Sequence, residues 1–261
     1  DLSQYKLVII PYPIMFTQDA AEGLREFVKN GGHVLAEARF GWNDDRGFAS
    51  EVIPGLGMHD IFGARENEVR MRDNISFSLN KENHPVLEGF SEGDKLNGSL
   101  YSQSIKLLEN SNAKVLAKTE EGDPAIVSSE YGKGEAMLAG TYLGMANFSE
   151  IVPNNDKFFI NLLDWAEIER PFTTSEDGRI TDQIEVRLQD TDKGYIIFLI
   201  NHSYNNEDVE INLKVDSNGN YLLRDVFNDK KEILKSDNNL LNLNFSINSR
   251  DARVFEINRD A

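Results

Sequence analysis

Pro171 divides this chain into two stretches whose apolar residues keep different periods, and that change constrains the fold more than any single motif. Before it, short apolar runs alternate with a helical repeat. After it the runs alternate in steps of two, and Asn, Asp and Gly clusters separate them. Such a chain is expected to build an α/β domain over residues 1–168, a linker over 169–175 and an all-β antiparallel sandwich domain over 176–261.

The α/β reading begins near the start. Residues 6–11 predict a strand that Pro11 and Pro13 end. Thr17 is placed to cap a helix whose Asp19 and Glu22 suit the helix dipole, and whose Ala21, Leu24, Phe27 and Val28 repeat at helical spacing. Asn30-Gly31-Gly32 stops that helix, and residues 33–36 predict a second strand. Strand, helix and strand with short connections form the unit of a parallel sheet with a right-handed crossover. Residues 53–62 are expected to be helical after Pro54, and residues 68–108 to form an irregular, strand-rich insertion. Tyr131-Gly132-Lys133-Gly134 predicts a hairpin turn, and a helix over 155–167 closes the domain with Phe158, Phe159, Leu162, Leu163 and Trp165 on one apolar face. Strands are then expected over 184–188, 195–201, 209–215, 221–226, 240–245 and 252–257.

Composition closes several function classes. The chain has no cysteine, which excludes a thiolate nucleophile, a thiolate metal site and a disulfide framework. Its 44 acidic and 27 basic residues leave a formal charge of −17, which repels nucleic-acid backbones and anionic membrane surfaces. No run reaches the roughly 18 apolar residues of a membrane span, so the chain is expected to be soluble, in cytoplasm or periplasm. It begins at Asp1 and not at Met, which predicts further upstream sequence in the parent protein.

The candidate functional residues are Glu37, Arg39, Trp42, Asn43, Asp44, Asp45 and Arg46. They follow the C-terminal end of the second predicted strand, where open α/β sheets bind ligands. An indole stacks on sugar faces and carboxylates accept hydroxyl hydrogen bonds, so the loop is expected to meet a neighbouring subunit or a sugar. The plainer alternative is a solvated loop whose Trp42 covers the sheet end. Two adjacent acids do not make a calcium site, and neither a metal nor a cofactor is expected. The chain contains no Gly-x-Ser-x-Gly, and Tyr131-Gly132-Lys133-Gly134-Glu135 is too short for a phosphate loop. His33, His59, His84 and His202 stand in settings that suit structural or solvent-exposed roles, and the dipeptides Asn67-Glu68 and Asn206-Glu207 suit chance.

Residues 1–41 and the segment YGKGEAMLAGTYLG, residues 131–144, resemble the opening and closing parts of the trimerisation domain of family-42 β-galactosidases. The segments GYIIFLINHSYNNEDVEINL and ARVFEI resemble that family's small C-terminal β domain, whereas residues 64–110 match it poorly. The resemblance implies a flavodoxin-like, class I glutamine-amidotransferase-like domain followed by the sandwich. It also implies self-association as a trimer and a catalytic (β/α) barrel upstream in the same polypeptide. The chain has no room for such a barrel of about 200 residues or more. It is therefore expected to be a non-catalytic oligomerisation and accessory region of a β-galactosidase-like glycoside hydrolase. The alternatives are a carbohydrate-binding accessory module and a standalone amidotransferase-like hydrolase.

Overall fold

The computed structural model describes residues 2–149, 152–174 and 183–259, and the chain divides into two compact units, Asp1–Glu169 and Arg170–Ala261. In the first unit, strand β1 (Leu7–Ile10) leads to helix α1 (Gln18–Lys29) and then to strand β2 (His33–Ala36). Thr17 caps α1: its Oγ1 accepts the Ala20 N–H at 3.2 Å, and Asp19 and Lys29 stand at the two ends where the dipole favours them. Gly31, at φ 117°, lets the chain reverse behind α1, and Gly32 lies so close to the Phe27 ring that a Cβ there would meet it at 2.3 Å.

The remaining strands of this unit are β3 (Ala64–Met71), β4 (Ile75–Leu79), β5 (Lys95–Gly98), β6 (Tyr101–Leu107), β7 (Lys114–Lys118), β8 (Pro124–Tyr131) and β9 (Gly134–Ala139), followed by helices α2 (Leu143–Ser149) and α3 (Pro153–Trp165). Seven strands make one mixed sheet in the order β1-β2-β9-β8-β7-β4-β5. Only β1, β2 and β9 run parallel, and the other pairings are antiparallel. Alternate residues of β2 serve opposite faces: Val34 and Ala36 pack with Leu24 and Phe27 of α1, while Leu35 packs with Phe158, Leu162 and Trp165 of α3. The unit is thus mostly sheet, with helices on both faces.

Two expectations need correction. Residues 53–62 are turns with one 3-10 turn, Met58–Asp60, because Leu56 and Gly57 take positive φ values of 55° and 72° that an α-helix does not admit. Residues 68–108 are not an insertion apart from the sheet: β4 and β5 extend its far edge, and only β3 and β6 form a separate two-stranded ribbon. Within residues 169–175 lies strand β10 (Phe172–Thr174), which pairs with a strand of the second unit, while Ser175 lies outside the described residues. The Tyr131–Gly134 turn joins β8 and β9 as expected, with Gly132 at φ 65°.

The second unit is antiparallel throughout its described residues. Its strands are β10, β11 (Ile184–Thr191), β12 (Gly194–Asn201), β13 (Glu207–Lys214), β14 (Asn220–Asp225), β15 (Lys231–Lys235), β16 (Leu240–Ile247) and β17 (Ala252–Arg259). They form a sheet in the order β10-β13-β16 and another in the order β11-β12-β17-β14-β15. Both place alternate residues in one core, Val209, Ile211, Leu213, Leu243 and Phe245 from the first and Ile197, Leu199, Phe255 and Ile257 from the second. Among the described residues no helix of either unit is long and apolar enough to cross a membrane.

Candidate functional site

The C-terminal ends of β1 and β2 set the geometry of the candidate loop. The chain leaves β1 through Tyr12 and β2 through Arg39, both with positive φ, 51° and 65°. Such values are uncommon outside glycine and cluster where the surrounding structure over-determines the backbone. The Arg39 N–H donates to Gln103 Oε1 at 3.0 Å, and its Nη1 reaches both oxygens of Glu66 at 2.9 and 3.1 Å. Its guanidinium lies 3.8 Å from the centroid of Trp42. The Arg39–Glu66 pair is largely shielded, with side chains 8% and 16% exposed.

Glu37 reaches the start of α2. It is buried, and its Oε1 accepts the Gly144 N–H at 2.8 Å, tying the end of β2 to the first turn of α2. Burial raises its pKa above the ordinary carboxylate value, against the opposing pull of backbone N–H groups of Gly144, Tyr12 and Leu143. Burial likewise raises Glu66, with Arg39 acting in the opposite direction. Beside them Tyr142 is fully buried, its ring 4.9 Å from Tyr12 and 5.7 Å from Tyr101, and burial pushes its hydroxyl pKa up. Three buried polar atoms in this cluster, Arg39 Nε, Gln103 Nε2 and Tyr142 Oη, have no hydrogen-bond partner among the described residues.

The other loop residues have local work. Asn43 exchanges backbone hydrogen bonds with the segment after β1, donating to Ile14 O at 2.8 Å and accepting from Phe16 N–H at 3.1 Å. Asp44 Oδ1 accepts the N–H groups of Arg46 and Phe48, both at 2.9 Å, and so closes the turn. Asp45 and Arg46 are exposed. The structure therefore brings Glu37, Arg39 and Trp42 to one cluster and leaves Asp44, Asp45 and Arg46 on the loop's outer turn.

A second polar cluster lies under α3. His84 Nδ1 accepts the Val86 N–H at 3.3 Å, so Nε2 carries the proton and donates to Glu135 Oε1 at 3.0 Å. Ser128 Oγ donates to the same oxygen at 2.6 Å, and Trp165 Nε1 donates to Oε2 at 2.7 Å. Burial alone would raise the Glu135 carboxyl, but the hydrogen bonds from His84, Ser128 and Trp165 outweigh it and bring the pKa down to about 2. His33 packs edge-on to Trp165 at 4.6 Å, and burial lowers its pKa despite the nearby Glu135. A serine nucleophile needs a free imidazole nitrogen to take its proton. Here both nitrogens of His84 are engaged and Ser128 faces the carboxylate.

The two Asn-Glu dipeptides have structural partners. Asn67 Nδ2 donates to Ser104 Oγ at 3.2 Å and Glu68 pairs with Arg70 at 2.9 Å; Asn206 Oδ1 accepts the Ser249 N–H at 3.0 Å and Glu207 Oε1 accepts from Ser203 Oγ at 3.3 Å.

Residues 1–169 match the model of the β-galactosidase trimerisation domain family. The chain belongs to this family. Among curated proteins it is 26% identical over 225 residues to β-galactosidase BgaB of Geobacillus sp. (strain Y412MC61), a match covering 83% of this chain and 29% of that protein. It is also 26% identical over 223 residues to β-galactosidase Pbg of Clostridium perfringens, covering 81% of this chain and 29% of that protein. The chain thus spans less than a third of the relatives it matches. Among solved structures, the cold-adapted β-galactosidase of Rahnella sp. R3 shares the fold with a TM-score of 0.72 at 18% identity, covering 100% of this chain and 33% of that one. The β-galactosidase of Bacillus circulans sp. alkalophilus gives 0.71 at 18% identity, covering 99% and 34%. In this trimerisation-domain chain, Tyr12, Glu66, Gln103 and Tyr142 join the cluster without having been singled out by sequence. Tyr12 and Tyr142 left a trace, standing inside the family-like segments 1–41 and 131–144.

Proposed function

We propose that this chain is the non-catalytic self-association region of a β-galactosidase-like glycoside hydrolase, trimeric in its assembled form, whose catalytic (β/α) barrel precedes Asp1 in the parent polypeptide. The observation that carries this reading is the family match over residues 1–169, in a chain spanning 29% of relatives that are β-galactosidases. The engaged nitrogens of His84 and the Ser128–Glu135 hydrogen bond support the absence of hydrolytic chemistry in the first unit. On the same reading the functional boundaries are 1–168, 169–175 and 176–261. The parallel β1-β2-β9 edge, with α1 and α3 on opposite faces, supports assigning the first domain to the flavodoxin-like, amidotransferase-like class, here with an antiparallel far half.

The candidate loop acts in subunit contact and not in holding sugar. One face of the Trp42 ring is taken by the Arg39 guanidinium, which removes that face from stacking on a sugar. Light scattering on the purified chain tests the association. Incubation with a nitrophenyl β-galactoside tests the chemistry: no turnover is expected, and turnover lost in Ser128→Ala or His84→Ala would overturn the reading. Calorimetric titration with galactosides tests the carbohydrate-binding alternative, which predicts saturable heat.

A further inference from the structure

Charged residues make up 27% of this chain, yet two stretches of more than ten residues in the first unit carry none: the twelve residues Leu7 to Gln18 and the fourteen residues Ala136 to Ser149. The first runs through β1 and out of its C-terminal end; the second runs through β9 into α2. They meet at the same end of the sheet, where the rings of Tyr12 and Tyr142 are 4.9 Å apart. Around that end stand large apolar side chains open to solvent: Tyr12 at 53%, Met15 at 59%, Phe48 at 69%, Met145 at 40% and Phe148 at 94% exposure. Met15 and Phe48 are held to one another's neighbourhood through Asn43, which bridges to Met15 on one side and to Ala49 on the other. Met145 and Phe148 are three residues apart on α2 and so share a side of that helix.

We propose that this apolar end of the first unit, bearing Tyr12, Met15, Phe48, Met145 and Phe148, is the surface through which one copy of the chain meets a second copy. The proposal rests on the self-association reading above and adds the place of contact. Copies that each carry a formal charge of −17 repel one another, so association requires a face where charge is scarce and apolar area is exposed. The two uncharged segments supply both, with the charges of Asp45 and Arg46 on the outer turn of the neighbouring loop. It is anchored on rigid elements, with Glu37 fastening α2 to the end of β2 and Asp44 closing the loop that presents Phe48. The backbone segments that carry these side chains are therefore already held in place, which lowers the ordering cost of contact.

The test compares the native mass and concentration dependence of the whole 261-residue chain with those of Phe148→Asp and Met15→Asp, singly and combined, by sedimentation equilibrium. Both side chains are more than half exposed, so neither change disturbs the core, and circular dichroism with thermal unfolding checks that the fold is kept. Tyr5→Asp, before the N-terminal end of β1, is the control for added charge elsewhere. The expected result is an oligomeric parent chain, an oligomeric Tyr5→Asp variant, and a double variant whose dissociation constant rises by about a hundredfold, the scale of a lost interface hot spot. An oligomeric double variant with unchanged affinity overturns the proposal and leaves the self-association reading standing, with the face then covered by the preceding part of the parent polypeptide. A parent chain that is monomeric at all concentrations overturns both.

Discussion

Replacing Glu135 by Gln removes one charge while keeping the shape of the side chain, and it should destabilise the first unit substantially. The carboxylate accepts from His84 Nε2 and Ser128 Oγ on one oxygen and from Trp165 Nε1 on the other. Its pKa falls from the ordinary 4.5 to about 2, which corresponds to roughly 3 kcal/mol at about 1.36 kcal/mol for each pH unit. With the side chain 17% exposed, solvent screening reduces this little. The folded value lies below the unfolded one, so the stabilisation is complete above about pH 4.5 and is lost as pH falls through about 2. In Glu135→Gln one amide oxygen still accepts from His84 and Ser128, but the amide nitrogen meets the Trp165 N–H, donor against donor. The variant should therefore be about 3 kcal/mol less stable than the parent at pH 7, and the difference should close between pH 4.5 and 2. Urea unfolding followed by tryptophan fluorescence measures it, with Trp42→Phe in both proteins so that Trp165 is the only indole. A difference below about 0.5 kcal/mol at pH 7, or one that persists unchanged at pH 3, refutes the assignment of Glu135 as a charged hydrogen-bond hub.

Arg39→Met strands Glu66 as a shielded carboxylate, and a loss of about 3–5 kcal/mol is expected at pH 7 in urea unfolding, shrinking toward pH 5 as Glu66 takes up a proton. Gly134→Ala places a Cβ 2.2 Å from Gly32 O and 2.3 Å from Val28 O, backbone atoms that cannot swing aside, so the thermal midpoint should fall by an amount matching about 1–3 kcal/mol. Asn155→Leu unpairs the N–H and C=O of Asn97 and one bond to Leu143 O, and should cost about 2 kcal/mol or more by chemical unfolding.

What could be read in advance follows the range of the interactions involved. Helix α1 was legible because its cap, its dipole charges and its apolar stripe all lie within thirteen consecutive residues, from Thr17 to Lys29. The strands of the second unit were legible where they are buried on one face, as in β16, whose residues alternate exposed and buried throughout. Strand β15 gave no such signal: Lys231, Glu232 and Lys235 leave only Ile233 and Leu234 apolar, a pattern suited to the sheet edge it occupies, where charge discourages further pairing. Strand β10 is three residues long and follows Pro171, so it reads as linker. Helix α2 hides in an uncharged run that continues from β9 with no change of composition. At the candidate site, Glu37, Arg39 and Trp42 were visible as neighbours in sequence. The carboxylate that pairs with Arg39 lies 27 residues on, and the amide that takes its N–H lies 64 residues on, distances over which a single sequence carries no periodic signal.

Self-association is the function proposed for this chain. Sedimentation equilibrium of the purified 261-residue chain, over a wide range of concentrations at moderate salt, measures that directly. The expected mass is three times the 29.5 kDa of the single chain, reached reversibly as concentration rises. A mass that stays at 29.5 kDa up to the highest concentration rules self-association out.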